Sequence, residues 1–464
     1  MRRRRANLPC VPNLVAADSL GDVGATLRRA GWLLKVRAVQ YLLVFAGGLV
    51  IARALGPAGR GEYALALNLA MIVWIVFHLS IESAVGRLLA RREATPVELA
   101  RLSVQASIVL GGAGALAALV IGLAARDDLL GGASTAAIVF AAATVPPSVA
   151  GTLFAALLLR RGHVRAFGYV QAGQAAVQFT LLLAVAATDA LTPESTLLIN
   201  LIATAAVAAA MAVALARDLG PGALLPLLPL HRSLGAARLG ASLHLATIGS
   251  YLNLRIDLLL VGAVLDARRA GLYSLAVVLA ELVGIATATI ASSALHGQTE
   301  LEERAAIRYT LDVVRQSLAA ALLLSALVAV VAYPFVVVVY GTAWRGSVLP
   351  FVILLVALLA LVIEAPIRSL LLRVGRPRSI SAAAFGSMLV NVALNLALLP
   401  VLGIAGAALA SLVSYWLVAA LMVWLLARRT EEAVVASLTR AQPGDLVGTL
   451  LRRGAARRGR DVGP

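Results

Sequence analysis

Apolar runs long enough to cross a bilayer recur along almost the whole chain, and nothing else restricts its fold so tightly. An α-helix needs about 20 apolar residues to traverse the hydrocarbon. Windows of that length predict spans near 32–54, 61–83, 101–125, 133–159, 167–188, 195–216, 239–265, 270–295, 316–340, 347–372, 379–400 and 404–427. The expected fold is therefore an all-α integral membrane protein of about 12 transmembrane helices. With 61% of 464 residues hydrophobic and a mean hydropathy of +0.92, lipid must be the solvent for most of the chain.

The spans fall into two related sets. Leu55–Ala66 (LGPAGRGEYALA) and Leu265–Ala276 (LDARRAGLYSLA) align without a gap at a shift of 210, which pairs Leu55, Gly61, Tyr63, Leu65 and Ala66 with Leu265, Gly271, Tyr273, Leu275 and Ala276. Later in each half, LLLRRGHVR at Leu157–Arg165 matches LLLRVGRPR at Leu370–Arg378. Equivalent loops at nearly equal spacing imply a duplicated helical bundle. That architecture suits a transporter better than a membrane enzyme, because a site between similar halves can open to either side as they rock. The expected organisation is a basic N-terminal tail (1–31), a six-helix lobe (32–216), a linker (217–238), a second six-helix lobe (239–427) and a basic C-terminal tail (428–464). Gly56 and Pro57 should end the first helix in a tight turn before Gly61. Tyr63 and Tyr273 read as anchors near the outer interface.

Charge sets the orientation. The chain has a formal net charge of +17, with 40 Lys and Arg. Counting from the N-terminal tail, alternate connections and the C-terminal tail hold 30 of these and the intervening connections only 6. The positive-inside rule then puts both termini in the cytoplasm. The excess is a topology signal with some attraction for anionic lipid, and argues against a nucleic-acid partner. Pro9, Pro12, Asn13 and Asp18 interrupt any apolar core behind Arg2–Arg5, so no cleaved signal peptide is expected there. A single cysteine, Cys10, excludes an internal disulfide and a cysteine-based metal cluster. The tail after Ala427 is predicted to be disordered at the membrane surface.

Three segments carry a family resemblance: ARALGPAGRGEYALALNL at Ala52–Leu69, LNLRIDLLLVGAVLDARRAGLYSLA at Leu252–Ala276, and VNVALNLALLPVLGIAGAALASLVS at Val390–Ser414. Together they resemble the polysaccharide-export branch of the multidrug/oligosaccharidyl-lipid/polysaccharide (MOP) flippase superfamily. The resemblance implies a Wzx-type flippase, with two six-helix lobes around a central cavity. It further implies a polyprenyl-diphosphate-linked glycan as substrate, membrane lipid as partner, other polysaccharide assembly proteins as possible partners, and the bacterial cytoplasmic membrane as location.

Ionisable residues at depth mark the candidate site, since a charge at the bilayer centre costs about 2.5–3.5 kcal/mol or more unless paired or hydrated. Arg255 lies about 24 Å from the predicted cytoplasmic end of its span, at 1.5 Å per residue. Under the resemblance, Arg255, Lys35, Arg37 and Arg368 are candidates for the diphosphate, because guanidinium forks match phosphate oxygens. Arg255 paired with Glu281 or Glu364 is the structural alternative, as is snorkelling for Lys35 and Arg37. Glu281, Glu364 and Asp257 are candidates for a coupling proton or sodium ion; no other cofactor and no metal are expected. Asp257 lies towards the outer end of its span, where a structural role competes. Gln171, Gln174 and Gln178 make one polar stripe, which should face a cavity or a neighbouring helix and offers contact to sugar. Asn391 and Asn395 share a helix face and serve either helix adhesion or sugar. His78 and His244 read as packing residues, with a His78–Glu82 proton relay as the lesser reading.

Two other functions compete. A multidrug exporter would share the fold, but the cations outnumber the anions at depth. A glycan-assembly enzyme or scaffold is the third reading, and no connection between spans is long enough to hold a soluble catalytic domain.

Overall fold

A computed structural model describes residues 23–220, 222–292, 301–373, 375 and 377–428. Most of both basic tails lies outside the described residues. The helices are α1 (Val23–Phe77), α2 (Ile81–Ala90), α3 (Pro96–Ala124), α4 (Arg126–Leu129), α5 (Thr135–Ala143), α6 (Val145–Arg160), α7 (Val164–Ala186), α8 (Pro193–Leu219), α9 (Leu230–Val264), α10 (Ala267–Ser292), α11 (Glu303–Val339), α12 (Val348–Arg373), α13 (Pro377–Leu402) and α14 (Ile404–Ala427), with a 3-10 turn at Thr342–Ser347. Among the described residues ten helical stretches are long and apolar enough to cross a membrane. One of these, Lys35–Ala90, has 56 residues. At 1.5 Å per residue that is about 84 Å, far beyond a core of about 30 Å, so it crosses twice.

The turn between those crossings is tighter than a loop. Helix α1 runs from Val23 to Phe77 and breaks only at Gly56, whose φ of 64° and ψ of −178° suit a residue without a side chain. Pro57 then opens the second arm, where its missing N–H costs nothing. The second arm stops at Phe77 rather than at 83, because Leu79 and Ser80 turn out at φ 50° and 47°. The predicted span 133–159 is two helices meeting at Thr144, ahead of Pro146 and Pro147. Helices α3 and α8 both start Thr-Pro, and each threonine side chain (Thr95, Thr192) accepts from the backbone N–H three residues on.

Helix α1 belongs to two packing groups. It lies against α7 and α3 on one side and against α10 and α9 on the other. Helices α3, α6, α7 and α8 pack among themselves, as do α9, α10, α12, α13 and α14. The crossing of α1 with α10 is reciprocal. A Cβ on Gly61 would overlap the carbonyl of Ala267, and a Cβ on Gly271 would overlap the carbonyl of Pro57. Positions 57 and 267, like 61 and 271, are equivalent at the shift of 210, so the duplicated segments meet around a local two-fold relation. Tyr273 corrects one expectation. It is fully buried in this core and is not an interfacial anchor.

Candidate functional site

A cavity of about 780 Å³ opens among α1, α6, α7 and α8. Its polar wall includes Gln171 and Gln174 from α7, Asn200 and Thr204 from α8, and Ser148 and Thr152 from α6. The three hydroxyls donate to backbone carbonyls one turn back, at 2.7–2.9 Å. Their lone pairs remain as acceptors, while the amides offer both donors and acceptors. Among the described residues, no charged side chain lines this cavity. The glutamine stripe therefore does face a cavity. Gln178, a turn further on, lines a different and smaller space and donates to Asn200 Oδ1 at 3.5 Å.

Trp74 closes one side of the large cavity and links it to the deep arginine. Its indole N–H is buried without a hydrogen-bond partner, and its ring meets the Tyr251 ring edge-on at 6.0 Å. The Arg255 guanidinium lies 6.0 Å from the centre of that same Tyr251 ring. Arg255 Nη2 is 3.0 Å from Glu281 Oε1, and the two side chains remain 25% and 31% exposed. Arg255 Nε is buried with no partner. The arginine is thus paired with Glu281 and not with Glu364, yet part of its fork is unused. Helix α9 starts at Leu230, so Arg255 is further from that end than the sequence places it. Asn68 Nδ2 donates to the Arg255 carbonyl at 2.8 Å and ties α1 to α9 at this level.

The other ionisable residues have other settings. Glu364 is buried and pairs with Arg368 at 2.7 Å within α12. Asp257 is 2% exposed and accepts from Tyr273 Oη at 2.6 Å, Ser411 Oγ at 2.9 Å and the Leu258 N–H at 2.8 Å. Those bonds join α9, α10 and α14, the arrangement of a structural tie. Lys35 and Arg37 are exposed 12 and 14 residues into α1, where Arg37 donates to Tyr41 at 3.2 Å. Asn391 and Asn395 are fully buried: Asn391 donates to Ser414 Oγ at 2.9 Å, and Asn395 to Asn391 Oδ1 at 2.9 Å. With Ser387 and Asn253 they form a polar seam between α9, α13 and α14, remote from the residues lining the large cavity in sequence and absent from its wall.

His78 and His244 come together from the two halves. Their rings meet edge-on at 5.1 Å, His244 Nδ1 lies 2.9 Å from Ser80 Oγ, and His78 Nε2 lies 3.3 Å from Glu82. A Cβ on Gly240 would overlap the Leu79 carbonyl, so the backbones nearly touch at this end of the seam. No group of three or more potential metal ligands occurs among the described residues.

A family model described as polysaccharide biosynthesis protein matches residues 26–296, more than half of the chain. The chain belongs to that family. An inward-closed structure of the lipid II flippase MurJ is similar at a TM-score of 0.66 and 12% identity, covering 90% of this chain and 91% of that one. An inward-facing multidrug resistance MATE transporter of the MOP superfamily gives 0.60 at 13% identity, over 87% and 96%. A MOP superfamily transporter from Pyrococcus furiosus gives 0.52 at 12%, over 87% and 94%. Comparison with curated proteins finds no match. The fold is that of a MOP-superfamily transporter, and the protein is a multi-pass membrane protein.

Several residues of the site escape sequence reading. Trp74 and Tyr251 sit among apolar neighbours and carry no charge to mark them. Asn200 and Thr204 are four apart on α8 and face the glutamines, a relation visible only once α7 and α8 pair. Arg60 reads as a loop charge but is 5% exposed.

Proposed function

We propose that this member of the polysaccharide biosynthesis family moves polyprenyl-diphosphate-linked oligosaccharide units across the bacterial cytoplasmic membrane by alternating access, without a chemical step. The observation that carries this reading is the junction of a neutral amide-and-hydroxyl cavity with a half-used arginine through Trp74 and Tyr251. The cavity volume lies within the range of ligand pockets, about 300–1,000 Å³. Its wall matches sugar hydroxyls, which need both donors and acceptors, and the indole supplies an apolar platform. Arg255 stands beside it, with Nε free for a phosphate oxygen. Because no carboxylate among the described residues lines the cavity, it is poorly suited to a drug cation, which is why the exporter reading ranks second.

In this scheme the carrier's prenyl chain stays in lipid while the head group crosses through the protein. Glu281 holds Arg255 in place before the diphosphate arrives, and is the candidate for a coupling proton or sodium ion. Lys35 and Arg37, exposed about three turns into α1, attract the anionic head at the cytoplasmic face. Both termini lie on that face, as the distribution of basic residues requires.

The test is a flipping assay in proteoliposomes with a fluorescent sugar-bearing polyprenyl diphosphate. The wild type should move the label between leaflets, and Gln174→Leu or Asn200→Leu should slow it by about tenfold, the worth of one or two lost hydrogen bonds. Unchanged transport in both variants would remove the cavity from the path.

A further inference from the structure

Arg60 is the most deeply buried arginine among the described residues, at 5% exposure, and no carboxylate of those residues lies within 4 Å of it. Its contacts are neutral. Nε donates to Ser274 Oγ at 3.1 Å, Nη1 donates to the Gly48 carbonyl at 3.0 Å, and the Trp344 ring centre is 5.8 Å away. Glu62 is two residues on and so points to the other side of the helix. Arg60 lies in the first turn after the Gly56 break, where the helix dipole adds to its charge. A buried cation with no counter-charge is costly, and an anion would relieve it.

Space for one exists. Arg60, Tyr63 and Gln178 line a cavity of about 150 Å³ whose remaining walls, from α1, α7 and α10, are apolar. That is about five water volumes at ~30 Å³ each, suited to a phosphoryl group and too small for a sugar chain. Val44, on the wall, is 45% exposed, and Leu42, two residues before it, is 67% exposed, so the apolar side of the cavity borders the lipid-facing surface of α1. Val278 on the wall is three residues from Glu281, towards the Gly271 end of α10. Arg60 is also eight residues from Asn68, which bonds the Arg255 backbone, so the two arginines stand about 12 Å apart along α1.

We propose that Arg60, with Tyr63 and Gln178, is a second anion site, nearer the Gly56 end, for a phosphate group carried on a lipid. The existence of this site stands on the cavity and the uncompensated charge. Its assignment to the carrier diphosphate after it leaves Arg255 rests on the transport reading above. A glycerophospholipid head group shares the same chemistry and is the other source.

The experiment uses full-length protein in phosphatidylcholine nanodiscs doped either with a polyprenyl diphosphate or with phosphatidylglycerol, and measures retained lipid by native mass spectrometry. Arg60→Gln should lower diphosphate occupancy by about tenfold, as the loss of a charge-assisted pair implies. Arg60→Lys should fall between. Gly48→Leu should match Arg60→Gln, because a Cβ there meets nothing within 4 Å and the longer side chain fills the cavity while Arg60 stays. If Arg60→Gln does not fold, Gly48→Leu decides alone. Arg60-dependent retention that persists in an Arg255→Gln background supports a separate site. Retention of phosphatidylglycerol alone, lost in Arg60→Gln, keeps the site, assigns it to phospholipid and counts against the transport reading. Wild-type occupancy of both lipids in Arg60→Gln and Gly48→Leu overturns the site, even where Arg255→Gln abolishes diphosphate binding and so preserves the transport reading.

Discussion

At the scale of single residues, Arg255 shows why a charge in a membrane chain is informative but incomplete. Its depth is legible in the sequence, because any arginine inside an apolar run must find a partner or water. The choice between Glu281 and Glu364 is not, since each lies on a different helix and only packing selects one. The partly exposed pair makes a double prediction. Arg255→Ala should abolish transport and destabilise the protein by about 1–3 kcal/mol, less than the ~3–5 of a fully buried pair because both side chains retain partial exposure. Adding Glu281→Gln should restore abundance and thermal stability, since no lone carboxylate remains, but not transport. Recovery of transport in the double variant would show that Arg255 serves only to neutralise Glu281. Asp257 illustrates the opposite case. Sequence marks it as deep and ionisable, but its three hydrogen bonds from Tyr273, Ser411 and Leu258 give it a tie between helices.

At the scale of elements, the repeated LGPAGRGEY and LDARRAGLY segments already point to duplication, and the structure adds how they touch. The equivalence of Gly61 and Gly271 is visible by alignment. That they lie against each other is a matter of tertiary packing, which no local pattern encodes. The same holds for the glutamine stripe: its periodicity reveals a shared face, but its neighbours Asn200 and Thr204 come from a helix with no such stripe. The glycine crossing yields a sharp expectation. Gly61→Val places a side chain on a backbone carbonyl, so no rotamer relieves it, and should cost about 1–3 kcal/mol or more. Gly271→Val should cost a similar amount. Gly48→Ala, on the same helix with open space around its Cβ, should leave melting temperature within error. Equal melting of Gly61→Val and wild type would refute the close crossing of α1 with α10.

At the scale of the whole molecule, the two halves touch at three levels along one seam: Gly61 on Gly271, Asn68 on the Arg255 backbone, and Ser80 on His244. The orientation proposed for that seam rests on the distribution of charge and is directly testable. With Cys10 replaced by serine, an impermeant thiol reagent should label Ala58→Cys in intact cells and leave Arg91→Cys unlabelled until the membrane is opened. Reversed labelling would invert the scheme and put the Arg60 site at the entrance. Alternating access makes a further demand, because an end that is sealed must part during each cycle. Ser80 Oγ and Thr247 Oγ1 are 3.5 Å apart at the His78–His244 end, so paired cysteines there are close enough to bridge. In the Cys10→Ser, Ser80→Cys, Thr247→Cys protein, oxidation should stop flipping and reductant should restore it to the level of either single-cysteine control. The bridge would hold α9 against the end of α1 while leaving the large cavity and both arginines unaltered, so lipid retention by the oxidised protein should stay near wild type. Full transport by protein shown to be crosslinked would mean that the halves do not separate at this end, and the rocking mechanism would have to give way to movement confined to one bundle.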